Sequence, residues 1–360
     1  MDSDLRGLRT FPAFDPLSQE FKRDPYPALE RARHEQPVFY HPELDIWVVT
    51  RYDDAERVQT DWETFSQRAA ALIPAPPELS GRVSSNFFSQ SLMASDPPSH
   101  TVSRKNVNKA FTRGRVAAME PVINGIIDHL VDSFAGAKAC DIVNDFCNPL
   151  GVSVILGLLG LPRDELRPFT QLAEDLMVLV SPRTDQELED EGAYAGPAKP
   201  MEHAEKVERW SRMADMRAYL TDQVESRAAT DQVESRAATP REDLTSALLA
   251  ARDDEGNAAL EPQLVVTHMI ELITAGTDTT AQLIAHMIGL FSEHPDQLAN
   301  VQADPGLWEQ AVEEGLRRRG TNLGVFRRTT RPVEVAGTTI PANALVWSLV
   351  GAAGHDSAHF

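Results

Sequence analysis

The sequence predicts a mainly α fold with a small β part. Three observations carry that prediction. Helical patterns fill most of the 360 residues. Runs rich in β-branched and aromatic residues are short, and they cluster near the two ends of the chain. No uninterrupted apolar run reaches the roughly 18 residues that a membrane-spanning helix needs. Hydrophobic residues make up 42%, an ordinary share for a globular chain, and residues 1–360 are read as a single domain.

The elements follow in order. "MDSDLRGLRTFPAFDP" has no apolar core of signal-peptide length. "DPYPALERARHEQ" opens with Asp and Pro and continues with good helix formers. In "PVFYHPELDIWVVTRY", β-prone runs at Val38–Tyr40 and Ile46–Thr50 flank a polar turn and predict a hairpin. "DDAERVQTDWETF" returns to helix. Residues 70–95 are rich in Pro, Ser and Gly and read as a long irregular loop, a length usually tied to function or disorder. From Arg115 to about Leu161, helices alternate with short breaks, and "PLGVSVILGLLGLP" carries its own Gly-Leu-Pro stop signal. Residues 182–203 are polar and loop-like. A long helix is expected from about Ala204 to Arg227. "PQLVVTHMIELITAGTDTTAQLIAHMIGLFSEHP" is the longest helical pattern, closed by Pro295. "DPGLWEQAVEEGLRRRG" is another helix. The β-rich tail, from Val325, has a turn at "AGTT" and a break at "IPAN".

One repeat is perfect: "TDQVESRAA" occupies 221–229 and again 230–238. Nine residues are about 2.5 helical turns. A continuous helix would rotate the second copy by half a turn, so a break or bulge is expected. A lone duplication of this kind reads as an insertion, because a solenoid needs three or more repeats.

The net charge of −20 argues against a general nucleic-acid or acidic-membrane binder. Two cysteines, Cys140 and Cys147, make no disulfide framework, which fits a reducing, cytoplasmic compartment.

The stretch "ELITAGTDTTAQLIAH" breaks helix rules. Gly costs about 1 kcal/mol against Ala in a helix interior, and Thr and Asp are mediocre formers. By i, i+3 and i+4 spacing, Glu271, Thr274/Ala275, Asp278/Thr279 and Gln282 share one stripe. Gly276 permits close approach to the backbone, and Thr279 can bond the Ala275 carbonyl and bend the helix. One reading is a kinked core helix with a Thr-rich bend. The other is a proton-delivery site, an acid beside a hydroxyl in an apolar pocket.

At these residues the chain resembles the cytochromes P-450. "AGTDTT" resembles the family's oxygen-activation motif. "AVEEGLRRRG" supplies the Glu-x-x-Arg pair as Glu314 and Arg317. "ASDPPSHTVSRKNVNKAFTRGRV" is similar to the helix after the substrate-covering loop, with His100 and Arg104. The segment from "FRRTTRPVEV" to "HDSAHF" resembles the sheet that follows Glu-x-x-Arg, with Arg327 at a haem-contact position. "PVFYHPELDIWVVTRYDDAERV" resembles the N-terminal hairpin of soluble bacterial members.

The resemblance implies a monooxygenase that uses haem b. Such an enzyme inserts one oxygen atom from O2 into a small organic substrate and reduces the other to water. Electrons would come from a ferredoxin-type or fused reductase, and indirectly from NAD(P)H. No nucleic-acid or membrane partner is implied. Thr279 would hydrogen-bond the bound oxygen, Asp278 would pass protons, and Gly276 and Ala275 would leave room. His100, Arg104 and Arg327 would meet the haem propionates through charge-assisted bonds. Glu314 and Arg317 would form a buried structural ion pair. Glu271 and Thr274 would face the substrate pocket; Glu271 on that face would suit a polar or basic group, or it could equally be turned away. The cations of "RKNVNKAFTRGR" (Arg104, Lys105, Lys109, Arg113, Arg115) read either as a solvated basic face or as a docking patch for an acidic electron donor.

One departure is large. The family's iron ligand is a cysteine in a Phe-Gly-x-Gly-x-x-x-Cys loop. Neither "GAKACDIV" nor "NDFCNPLG" has that frame, so the metal ligand is expected to be absent. The sequence is therefore read as incomplete at its C-terminus and inactive as given. His355 and His359, at i, i+4, follow a Gly-rich lead-in and are not expected to bind metal. Two further classes stay open: an isomerase or dehydratase of the same fold, and a non-catalytic helical binding protein.

Overall fold

The computed structural model describes residues 9–68, 71–72, 74–83, 85–108, 111–181, 201–234, 243–253 and 255–360. Its backbone forms two compact units. One comprises 1–71, 181–201 and 286–360, and the other 72–180 and 202–285.

The first unit is built on a five-stranded sheet ordered β1-β2-β9-β6-β3. The predicted hairpin is there: β1 (Val38–His41) pairs antiparallel with β2 (Ile46–Val49), in the register Val38 to Val49. β3 (Phe65–Ser66) edges the sheet against β6 (Val325–Thr329). β9 (Leu345–Ser348) lies between β2, parallel to it, and β6, antiparallel to it. Successive strand residues point to opposite faces. Phe39, Ile46, Val48 and Leu345 pack on one face with Phe11, Phe14 and Leu29. Val38, Trp47, Val49 and Val346 pack on the other with Val58, Phe65 and Ile340. Both faces are covered, which explains why β2 is apolar without alternation.

The short strands β4 (Ala71–Leu72) and β5 (Val180–Ser181) pair with each other where the chain passes between units. β7 (Val333–Val335) and β8 (Thr338–Ile340) form a hairpin. Its turn puts Ala336 at φ 46° and Gly337 at φ 71°, the positive pair that a tight two-residue hairpin turn requires. The unit's helices are α1 (Gln19–Arg23), capped by Ser18 accepting from the Phe21 N–H, then α2 (Tyr26–Glu35) and α3 (Tyr52–Thr60). Later in the chain come α11 (Pro295–Ala303), α12 (Trp308–Arg318) and α13 (Val350–Ala353).

The second unit is helical: α4 (Ser99–Asn108), α5 (Arg113–Phe134), α6 (Asn148–Leu159), α7 (Arg167–Leu179), α8 (His203–Glu234), α9 (Leu244–Ala250) and α10 (Pro262–Glu293) as far as Ala285. A six-residue π turn, Ile142–Cys147, leads into α6. By length and composition alone, Ile142–Leu159 could cross a membrane, but Val152, Leu156 and Leu159 of α6 are fully buried in the unit. α6 ends on Gly160 at φ 69°, as its stop signal predicts. Its last carbonyls are taken up by side chains of α9 and α8. Thr245 donates to Leu159 O at 2.8 Å, and Arg227 donates to Gly160 O at 2.6 Å.

α7 and α8 are joined by a buried carboxylate. Asp175, 1% exposed at its side chain, accepts from Arg209 Nη1 at 2.9 Å and from Arg212 Nε at 2.7 Å.

Two expectations need correction. The long helix does not stop near Arg227, and it does not break at the repeat. α8 continues through the junction at 229/230 to Glu234. Its backbone hydrogen bonds do not depend on which side chains face inward, so half a turn of phase error does not interrupt them. Residues 235–238 of the second copy lie outside the described residues, as do most of the predicted 182–203 loop and Lys109. The 70–95 segment is less irregular than expected: Pro77–Leu79 and Ser85–Gln90 form 3₁₀ turns.

Candidate active site

The first half of α10 is buried: Val265, Val266, Met269, Ile270 and Ile273 have no exposure. Hydroxyls can enter such a helix because the helix itself satisfies them. Thr274 donates to Ile270 O at 3.0 Å, Thr277 to Ile273 O at 2.7 Å, and Thr279 to Ala275 O at 2.5 Å. Each hydroxyl proton goes to the carbonyl four residues back, a pattern that bends helices. The Thr279 bond is the one its spacing predicts. Thr279 is half-buried and Ala275 exposed.

Gly276 has a packing reason that sequence reasoning missed. A Cβ there would lie 3.1 Å from Ile155 Cγ1 on α6. The approach is reciprocal, because a Cβ on Gly151 of α6 would lie 2.9 Å from Thr277 O. The two helices touch through their glycines at the level of the AGTDTT motif.

Asp278 is half-buried. Desolvation, with Glu174 adding like charge, raises its carboxyl above the ordinary carboxylate range. This is the direction a proton donor needs.

Glu271 does not present a free carboxylate to a substrate. It is 4% exposed, and both its oxygens have internal partners. His268 Nδ1 lies 2.9 Å from Oε2, and the Met93 N–H donates to Oε1 at 3.1 Å. His268 and Met93 had no signal in the local sequence. Thr274 is buried on the same helix.

In the first unit, Glu314 and Arg317 meet as their i, i+3 spacing predicts, at 2.6 and 2.7 Å. The pair is not buried, a second correction: its side chains are 52% and 24% exposed. It lines an open cleft of about 1230 Å³ that also meets Glu56, Gln310 and Phe360. Arg317 still acts as a clamp, donating to Gly354 O at 2.7 Å. Its guanidinium holds Glu314 below the usual carboxylate range.

The three expected propionate cations are divided between the units. His100 (half-buried) and Arg104 (exposed) lie on α4 of the second. Arg327, half-buried on β6 of the first, donates to Phe326 O at 2.8 Å. His355 and His359 are engaged separately, at Arg318 O and at Asp53. Among the described residues, no group of His, Cys, Asp and Glu could hold a metal.

A haem of this family needs a thiolate. Cys140 is exposed and Cys147 fully buried. Burial and nearby Asp141 push the Cys147 thiol up, away from thiolate character. Neither cysteine environment suits the thiolate that a haem iron of this family takes.

Comparison with known proteins agrees with this geometry. A family model described as cytochrome P-450 matches residues 197–304. The chain is 30% identical over 336 residues to the putative cytochrome P-450 YjiB of Bacillus subtilis, spanning 93% of this chain and 76% of that protein. It is 32% identical over 337 residues to the cytochrome P-450 monooxygenase PikC of Streptomyces venezuelae, covering 92% and 71%. The 6-deoxyerythronolide B hydroxylase of Saccharopolyspora erythraea is 30% identical, with 88% and 72% covered. The ligand-free structure of cytochrome P-450 TbtJ1 superposes with a TM-score of 0.75 at 31% identity, covering 96% of this chain and 79% of that one. The chain belongs to the cytochrome P-450 family, whose bacterial members are haem b monooxygenases, and its mainly α fold with a small sheet part is theirs.

Proposed function

We propose that the chain carries the proton-delivery residues of a cytoplasmic monooxygenase that inserts one oxygen atom from O2 into a small organic molecule. One observation carries the reading. Asp278, a carboxyl that holds its proton above the ordinary range, directly precedes Thr279, whose hydroxyl proton is lodged on Ala275 O. That hydroxyl keeps its lone pairs free to accept a proton, and Asp278 is the neighbouring acid that can give one. Relatives named as hydroxylases support oxygen insertion over isomerisation or dehydration. His100, Arg104 and Arg327 suit the propionates. Lys105 and Arg113 are exposed, which supports an acidic ferredoxin-type donor, with NAD(P)H as the indirect electron source.

The cysteine environments support a second statement: residues 1–360 on their own are inactive. Reduced, CO-treated protein after haem addition should lack the red-shifted Soret band of a thiolate ligand. A red-shifted band abolished by Cys140→Ser or Cys147→Ser would overturn this. In a chimera carrying a relative's cysteine loop, Thr279→Ala should still bind substrate but release peroxide in place of product. Unchanged product per NAD(P)H would remove the role of Thr279.

A further inference from the structure

Why does α10 bury a carboxylate about two turns before Asp278 and Thr279? A buried charge is costly unless it is paired and hydrogen-bonded. Glu271 has two donors, one from its own helix and one from 178 positions away. The distant donor is a backbone N–H in the segment 91–96, which precedes α4. Ser91, Ala94 and Ser95 of this segment are buried, while the Met93 side chain is 39% exposed. Several of its hydrogen bonds are local: Ala94 N–H to Ser91 O at 3.3 Å and Ser95 Oγ to Ser91 O at 2.6 Å. Such turns hold their own shape but do not fix the segment to the helix. The Glu271–Met93 bond does fix it.

His268 determines where that carboxylate points. Its ring is 0% exposed, and Nδ1 reaches Glu271 at 2.9 Å. With Glu271 ionised, the proton sits on Nδ1, and Nε2 is left buried without a protein partner. A histidine kept in a core with one nitrogen unsatisfied carries a cost that packing alone does not explain. Holding the carboxylate on the Met93 N–H accounts for it.

We propose that Glu271, oriented by His268, is a positioning residue that latches segment 91–96 to α10. Removing this contact takes away a direct hydrogen bond between the segment and the helix while leaving the helix's own ladder intact. The segment directly precedes α4, and on the monooxygenase reading, in which α4 follows the substrate cover, the latch sets how readily that cover opens. This last consequence rests on the monooxygenase reading, whereas the latch itself does not.

Amide hydrogen exchange on the 360-residue chain tests it without haem. Glu271→Ala should speed exchange at the Met93 amide at least tenfold and leave the amides of Ile270–Thr279 unchanged. Glu271→Gln, whose amide oxygen still accepts from the Met93 N–H, should restore slow exchange. His268→Phe, which keeps the ring volume, should speed it by less than Glu271→Ala. Unchanged exchange in Glu271→Ala overturns the latch. So does equal loosening of Met93 and the α10 amides in both Glu271 variants, which would mark a general loss of structure. A latch seen by exchange in a chain that never yields a monooxygenase, even as the chimera, would leave this inference standing and remove the other.

Discussion

α6 contains two glycines that should respond to alanine with opposite signs. At Gly157, an added Cβ would meet Arg163 Nη1 at 3.5 Å and Met119 Cε at 3.7 Å, which are ordinary contacts with movable side-chain ends. At Gly151 it would meet Thr277 O at 2.9 Å and Gly276 O at 3.1 Å, both backbone atoms of α10. Each substitution gains helix propensity, roughly 0.5–1 kcal/mol. Only Gly151→Ala must also push two helices apart, at an overpacking cost of about 1–3 kcal/mol. The propensity gain cancels between the two variants, so the gap between them measures the close approach alone. With a urea slope of about 2–3 kcal/mol/M, that gap is on the order of 0.5–1 M in midpoint. Urea unfolding followed by circular dichroism should give the order Gly157→Ala, parent, Gly151→Ala, from most to least stable. If both variants shift the midpoint the same way by the same amount, the helices do not meet through Gly151, and the packing reason for Gly276 fails with it.

Two other perturbations test the second unit. Asp175→Ala strands Arg209 and Arg212, but these keep Glu205 and Glu208 as partners. The loss should therefore fall at the low end of the about 3–5 kcal/mol typical for a broken buried pair. A drop in thermal midpoint below about 1 °C would show that the cluster is not the joint between α7 and α8. Asp278→Asn tests a pH dependence. The Asp278 carboxyl is raised above its ordinary value of 3.8, so ionising it costs the folded state. That cost appears as pH rises from the ordinary value through the raised one, and it persists above. The Asn variant should be more heat-stable at neutral pH, with an advantage that shrinks as pH falls towards 3.8. An advantage constant across that range would mean the effect is not one of charge.

The secondary structure was legible where its cause was local. The β1–β2 hairpin, the Gly160 stop, the positive-φ turn at Ala336–Gly337 and the limits of α10 follow from turn chemistry and periodicity. The error at the repeat came from treating side-chain phase as decisive. α8 is 32 residues long, and its backbone ladder carries it across the junction. Burial was less legible. The spacing of Glu314 and Arg317 gave the bond correctly, but spacing says nothing of the cleft that leaves the pair half-exposed.

The site shows the same division more sharply. The Thr279–Ala275 bond spans four residues and could be read directly. The partner of Glu271 on the 91–96 segment is 178 positions away, and that of Gly151 more than a hundred, so no local pattern announces either. Both long-range contacts converge on α10, and they explain its odd composition from different sides. Gly276 lets α6 approach, threonines bury hydroxyls that the helix itself satisfies, and the acid at 271 reaches outward to the 91–96 segment. Close packing against α6 accounts for the first, and the helix's own carbonyls for the second. The third is of another kind, since it joins the helix to a segment 178 positions away.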